Sequence, residues 1–354
     1  MAKIIYGVSG EGSGHSSRAR LIAGHLIAKG HSVKIVSYDR GYRNLKDDFD
    51  CLDIVGLSIV SIDNEVSKLK TISANLAKIP KGRSALSKLR LLFRDFSPDC
   101  VITDFEPCTA YLANHYDLPL ISLDNQHRMR YMEYERPRDL HKEAALTEII
   151  IKAMVPKPWV SLITSFHSGE LKNNRSFIFP PILRQSILAL SPETKDHILV
   201  YVTTAFESLI SVLQNFPRET FFVYGYDRDD TVGNIVYKPF SPVDFPKDLS
   251  SAKAVVATAG FTLMSEALYL GKPYLAFPMQ GQFEQHLNAH MLELLGYGAE
   301  GRVADEATLA AFLYKLPDYV QRLEKYPRQG NQKIQQKLDH LLENEMAELL
   351  KYRR

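Results

Sequence analysis

The stretch from Val255 to Gly298, VVATAGFTLMSEALYLGKPYLAFPMQGQFEQHLNAHMLELLGYG, constrains this chain more than any other. An apolar run ending at Ala257 meets a turn at Gly260. Helical spacing follows, with Glu266 in its second turn, until Gly271-Lys272-Pro273 stops it. A second apolar run leads into the polar cluster Gln282 to Asn288 and another helical pattern. Strand, glycine turn, helix, strand, polar loop, helix is the order of a parallel sheet with crossover helices. A helix that opens behind a glycine offers unpaired backbone N–H groups and the positive end of its dipole, which suits a diphosphate. A carboxylate one to two turns further on can reach a ribose. The later amide and carboxylate cluster can grip sugar hydroxyls, so a nucleotide-sugar site is the economical reading.

The rest of the chain alternates in the same way. Lys3 to Ser9 reads as a buried strand, Gly10 to His15 as a glycine turn, Ser17 to Lys29 as a helix and Ser32 to Tyr38 as a strand. A strand over Cys100 to Thr103, a helix over Cys108 to Tyr116 and a strand over Pro119 to Leu123 follow. A second series begins near His197, with strands at 198–203, 220–224, 236–238 and 254–257 and a helix over Phe206 to Asn215. Between the series, Phe179-Pro180-Pro181-Ile182-Leu183-Arg184 reads as an extended linker, because consecutive prolines resist helix. The expected fold is therefore α/β, with two doubly wound, Rossmann-like domains over 1–180 and 181–330. The tail 331–354 reads as a charged helix with Leu338, Leu341, Leu342 and Leu349 on one face, available to pack back on the first domain.

Composition narrows the function classes. A chain of 354 residues can bury two cores, and a net charge of +2 offers no global field for nucleic acid. The three cysteines Cys51, Cys100 and Cys108 form neither a disulfide framework nor a Cys-x-x-Cys metal site, which points to a reducing cytoplasm. Met1 leads into a short, glycine-interrupted apolar run that does not resemble a signal sequence, and no apolar run approaches the ~20 residues of a membrane span. The expected location is the cytoplasm, free or at the inner face of the membrane.

The N-terminal turn invites comparison with the dinucleotide fingerprint G-x-G-x-x-G. Gly10 and Gly12 fit, and Asp39 after the second strand mimics the ribose-binding acid, but His15 stands where the third glycine belongs. It would crowd the helix–strand approach that glycine permits, so the nicotinamide reading is set aside. A histidine at the open end of a parallel sheet is better placed as a general base. Asp104, at the carboxyl end of a later strand, can bond the second ring nitrogen and fix the tautomer. Helix capping is the plainer use of either residue, and Glu106 competes with Asp104 for the role.

These patterns resemble the nucleotide-sugar signature of the GT-B glycosyltransferases, notably the UDP-glycosyltransferases and the peptidoglycan N-acetylglucosaminyltransferases. Gly10-Glu11-Gly12-Ser13-Gly14-His15 is similar to their N-terminal turn. Thr258-Ala259-Gly260-Phe261-Thr262, Glu266-Ala267-Leu268, Gly271-Lys272-Pro273, Glu284-Gln285 and Asn288-Ala289 resemble their donor motif. The resemblance implies that Gly260, Phe261 and Thr262 hold the diphosphate, Glu266 the ribose, and Glu284 and Gln285 the transferred sugar, with Gly14, Thr258 and Asn288 also among the donor-binding residues. It implies Phe240 and Ser241 at the uracil, Arg184 near the phosphates, His15 as base and Asp104 as its partner. Two departures stand out. Thr258 replaces a histidine or serine common in relatives, and the turn Thr203-Thr204-Ala205 lacks glycines, leaving the Thr203 and Thr204 hydroxyls to substitute.

The implied activity is inverting, metal-independent transfer from a UDP-sugar to an acceptor hydroxyl, with no cofactor, in cell-envelope glycan or glycolipid synthesis. A non-catalytic nucleotide-sugar sensor and a nucleotide-sugar 2-epimerase remain as alternatives. The acceptor stays open, soluble or lipid-linked. Residues 71–94 place Lys78, Lys81, Arg83, Lys88, Arg90 and Arg94 among Leu76, Ile79, Leu86, Leu89, Leu92 and Phe93. Such a basic amphipathic segment can rest on anionic lipid. A solvated helix covering the first sheet is the simpler expectation.

Overall fold

A computed structural model of the chain describes residues 1–56, 61–62, 65–66, 85–202 and 206–353. Two seven-stranded sheets form the framework. The first runs, edge to edge, Cys51–Asp53, Ser32–Ser37, Lys3–Val8, Cys100–Asp104, Leu120–Asp124, Val160–Thr164 and Ser176–Phe179, and every pairing is parallel. The second runs Thr231–Val232, Ile235–Lys238, Thr220–Tyr224, His197–Tyr201, Ala254–Thr258, Tyr274–Phe277 and Gly298–Glu300, parallel except at its two-residue edge strand. Central strands such as Ile4-Ile5-Tyr6 and Val255-Val256-Ala257 are apolar without alternation because helices cover both faces. The doubly wound α/β reading holds in both halves.

Each strand order reverses direction once near its middle. In the first sheet the reversal lies between Lys3–Val8 and Cys100–Asp104, where Val8 pairs with Asp104. In the second it lies between His197–Tyr201 and Ala254–Thr258, where Tyr201 pairs with Ala257. Crossovers leave such a point in opposite directions and open a crevice at the carboxyl ends of the strands.

The chain crosses between lobes twice. The outward crossing follows Phe179; the return leads into the helix Gln332–Leu342. Asn331 ties the two crossings together: its Oδ1 accepts from Leu183 N–H at 2.9 Å and its Nδ2 donates to Leu183 O at 2.8 Å. Beyond it, Ile334, Leu338, Leu341, Leu342 and Leu349 share a core with Ile4, Tyr6 and Ile22 of the first lobe. His25 Nε2 lies 2.7 Å from Asp339 Oδ1 in the same contact. The lobes also meet through apolar packing, with Met129, Ala144, Ile151 and Phe166 of the first in one cluster with Phe261, Met264, Phe283 and Leu287 of the second. No helix among the described residues is long and apolar enough to cross a membrane.

Candidate active site

The helix Gly14–Ala28 begins at the switch point of the first lobe, and its second residue is His15. Gly12 makes the preceding turn with φ of +73°, a conformation costly for residues with a side chain. Asp104 ends the neighbouring strand, fully buried, with Oδ1 2.6 Å from His15 Nδ1. Arg18, one turn along the helix and also buried, forks onto the same carboxylate: Nε to Oδ2 at 3.0 Å and Nη2 to Oδ1 at 2.8 Å. Burial would raise the Asp104 pKa, but the Arg18 and His15 charges and hydrogen bonds more than offset it and hold the carboxyl below its ordinary value.

The tautomer of His15 follows from this packing. Arg18 Nη2 lies 3.1 Å from Nδ1, but an ionised carboxylate at 2.6 Å requires a proton on that nitrogen. Nδ1–H therefore donates to Asp104, and Nε2 keeps its lone pair. Among the described residues no protein group takes Nε2, and the side chain retains 12% exposure. An imidazole with one nitrogen anchored and the other presenting a lone pair is the geometry of a general base. Glu106, the competing carboxylate, is spent elsewhere. It caps the helix Pro107–His115, accepting from Cys108 N–H at 2.8 Å and Thr109 N–H at 2.7 Å.

The second lobe presents a bare helix mouth. The helix Phe261–Tyr269 starts behind Gly260 with no side-chain cap and no acidic residue in its first turn. Its first N–H groups lack intrahelical partners and carry the positive end of the dipole. A Cβ placed on Gly14 would lie 2.5 Å from Thr262 Oγ1, so the first-lobe turn abuts this mouth only because residue 14 is glycine. His15 is thereby the neighbour of the point where the lobes touch.

The remaining predicted residues divide into those near the crevice and those behind it. Arg184, beside the outward crossing, forks onto Glu266, Nε to Oε1 at 2.7 Å and Nη2 to Oε2 at 2.6 Å. Glu266 is almost closed off, whereas Arg184 is 28% exposed, so the arginine and not the glutamate faces outward in this state. Glu266 can reach a ribose only through its remaining lone pairs, or after Arg184 turns away. Phe240 is exposed, and its ring packs on Phe245 with centroids 5.5 Å apart. Ser241 Oγ donates to Asp244 Oδ2 at 2.9 Å. Thr258 is buried, with its carbonyl accepting from Tyr274 O–H at 2.7 Å. Thr203 and Thr204 lie outside the described residues.

Glu284 and Asn288 do share a face of the helix Phe283–Leu294, and that face is the seam between lobes. Glu284 accepts from Asn125 Nδ2 at 2.6 Å and Gln126 Nε2 at 3.1 Å, both from the first lobe. Asn288 is fully buried: its Nδ2 donates to Ala259 O at 2.7 Å and its Oδ1 accepts from Arg128. With amide and carbonyl both engaged, Asn288 braces the Ala259-Gly260 turn from beneath. Gln285 is likewise turned onto its own loop, Oε1 accepting from Met279 N–H at 3.0 Å and Nε2 donating to Gln282 Oε1 at 2.8 Å. Sequence reasoning missed Arg18 and Arg128, both buried. For Arg18 a signal was present, since residues three apart on a helix share a face with His15.

Two lobes with an imidazole–carboxylate pair on one side and an anion-ready helix mouth on the other define a group-transferring α/β protein of the GT-B type. The chain belongs to glycosyl transferase family 1, whose model matches residues 2–317. It is 25% identical over 327 residues to an uncharacterized glycosyltransferase of Methanosarcina acetivorans, with 84% of each chain covered. It is 23% identical to a UDP-N-acetylglucosamine--N-acetylmuramyl-(pentapeptide) pyrophosphoryl-undecaprenol N-acetylglucosamine transferase of Sphingopyxis alaskensis, covering 82% of this chain and 76% of the relative. Among solved structures it is similar to the calicheamicin glycosyltransferase CalG4, TM-score 0.69 at 16% identity over 97% of this chain and 99% of that one. A spinosyn rhamnosyltransferase complexed with thymidine diphosphate aligns with TM-score 0.61 at 13% identity over 92% and 95%. The protein is a glycosyltransferase.

Proposed function

We propose that the chain catalyses direct, inverting transfer from a nucleoside-diphosphate sugar, with UDP as the nucleotide, to an acceptor hydroxyl, without a metal ion. One observation carries the proposal: His15 Nδ1 is anchored to Asp104 at 2.6 Å while the adjacent Gly14 touches the mouth of the donor helix at Thr262. The acceptor hydroxyl gives its proton to His15 Nε2 as its oxygen bonds the anomeric carbon. The anomeric C–O bond breaks on the opposite face, and its electron pair leaves with the diphosphate. The helix mouth and the outward edge of Arg184 meet that charge with dipoles already in place. Among the described residues no group of three or more His, Cys, Asp or Glu side chains is arranged to hold a metal. Phe240 supplies an exposed ring for the base.

The acceptor reading is lipid-linked, at the inner face of a membrane, in cell-envelope synthesis. Support comes from the undecaprenol-linked acceptor in the name of the Sphingopyxis relative and from the first-lobe surface. The helix over 85–96 buries Leu89 and Phe93 against the sheet and leaves Leu86, Leu91, Arg90 and Arg94 outside. A groove of about 670 Å³ is lined by Arg90, Leu91, Phe93, Arg94, Tyr116 and Leu118. Residues 71–84 of the basic segment lie outside the described residues. Nucleotide release from UDP- and dTDP-sugars, with and without acceptor, tests the activity. His15→Ala is expected to abolish turnover and spare nucleotide affinity; retained turnover rejects the base. Pelleting with anionic vesicles at low salt tests the surface, and its absence rejects the membrane reading.

A further inference from the structure

Arg128 is a fully buried side chain of the first lobe whose guanidinium hydrogen-bonds the second. It opens the short helix Arg128–Tyr131 beyond the strand Leu120–Asp124. Its guanidinium lies over the ring of Phe261, the first residue of the donor helix, at 5.3 Å, and over Phe166 at 5.8 Å. It donates to Asn288 Oδ1, and Asn288 in turn donates to Ala259 O, so the cation is wired to the underside of the Ala259-Gly260-Phe261 turn. Among the described residues no carboxylate hydrogen-bonds it. Glu284, the nearby acid, has its oxygens engaged by Asn125 and Gln126. Arg128 Nε and Nη1 are buried without partners, and orphaned polar atoms of Gln126, His127, Arg130, Thr164 and His167 belong to the same lobe. Glu284 offsets part of its charge, but a buried guanidinium with two nitrogens lacking hydrogen-bond partners is costly to hold. A residue kept at such cost calls for a functional return.

We infer that Arg128 is a positioning residue that lends first-lobe positive charge to the helix mouth receiving the leaving diphosphate, so that this mouth reaches full anion affinity only when the lobes are docked. The inference rests on the donor-site reading above. It differs from that reading in what it predicts: the effect of Arg128 scales with ligand charge. Coulomb attraction across a partly buried path falls slowly with distance, so a diphosphate gains more than a monophosphate, and a nucleoside gains nothing.

Calorimetry on the full chain with UDP, UMP and uridine, and with dTDP, dTMP and thymidine, provides the test. Arg128→Met is expected to weaken the diphosphate about tenfold, the monophosphate about threefold and the nucleoside less than twofold. Arg128→Lys, which keeps the charge, should hold diphosphate affinity within about threefold. Equal losses for all three ligands, or unchanged diphosphate affinity, would overturn the inference, and Arg128→Gln takes the place of Arg128→Met with the same expectations if the methionine variant does not fold. If the parent protein binds neither UDP nor dTDP, the donor-site reading falls first and this one with it.

Discussion

The two switch points share a topology and differ in how their helix mouths are furnished. In the first lobe the mouth carries three side chains in one buried cluster, His15, Arg18 and Asp104, and the carboxylate is shared between a titratable ring and a permanent cation. In the second lobe the helix is uncapped and free of acid in its first turn, as the first-lobe helix is, but no titratable ring stands at its start, and polar and charged groups stand behind it: Glu266 under Arg184, Asn288 under Arg128. A mouth that holds an anchored imidazole can move a proton. A bare mouth can take an anion but has no base. On the proposed function, the same fold used twice separates chemistry from binding.

Breaking the first mouth should have the largest effect. Asp104→Asn keeps the shape but removes the charge that fixes the His15 tautomer, and kcat is expected to fall about a hundredfold or more with donor affinity unchanged, read by steady-state kinetics and calorimetry. Breaking the second mouth should look different. Arg184→Met is expected to weaken nucleoside-diphosphate binding about tenfold, with a smaller change in kcat once donor saturates. A milder disturbance comes from the point where the mouths meet. Gly14→Ala pushes a methyl against Thr262 and should raise the donor KM several-fold; Thr262→Ala in the same chain should recover most of the loss.

The smallest effect separates the lobes by pH. Burial, aided by the Arg128 charge, lowers the pKa of His167 to about 4, so the folded chain favours the neutral ring. A depressed folded value means that stability is fully present above the unfolded value, about 6.5, and is lost as pH falls towards 4, at up to about 1.4 kcal/mol per pH unit. His167→Gln should flatten denaturant stability over that window. Asp104, also depressed, acts only at lower pH, below the ordinary range of an unfolded aspartate, about 3.9.

Much of this fold was legible in the sequence because buried parallel strands appear as unbroken apolar runs flanked by glycine turns. The strand Ser32–Ser37 and both switch-point strands fall within a residue or two of expectation. Val160–Thr164 and Ser176–Phe179 were not foreseen: the first follows a proline-rich approach, and the second reads as the start of the linker it borders. Site legibility failed in a particular way. Periodicity puts Glu284 and Asn288 on one face but cannot say that the face meets another lobe. Buried arginines look like solvated ones, so Arg18 and Arg128 stayed hidden until their partners, 86 and 160 positions away, came into contact.

The central claim is most directly tested by a structure with UDP bound. The account predicts the diphosphate on the N–H groups that follow Gly260, beside Arg184, with the glycosidic side turned towards His15. Diphosphate seated on the first-lobe mouth at His15 and Asp104, or outside the interlobe crevice altogether, would contradict it.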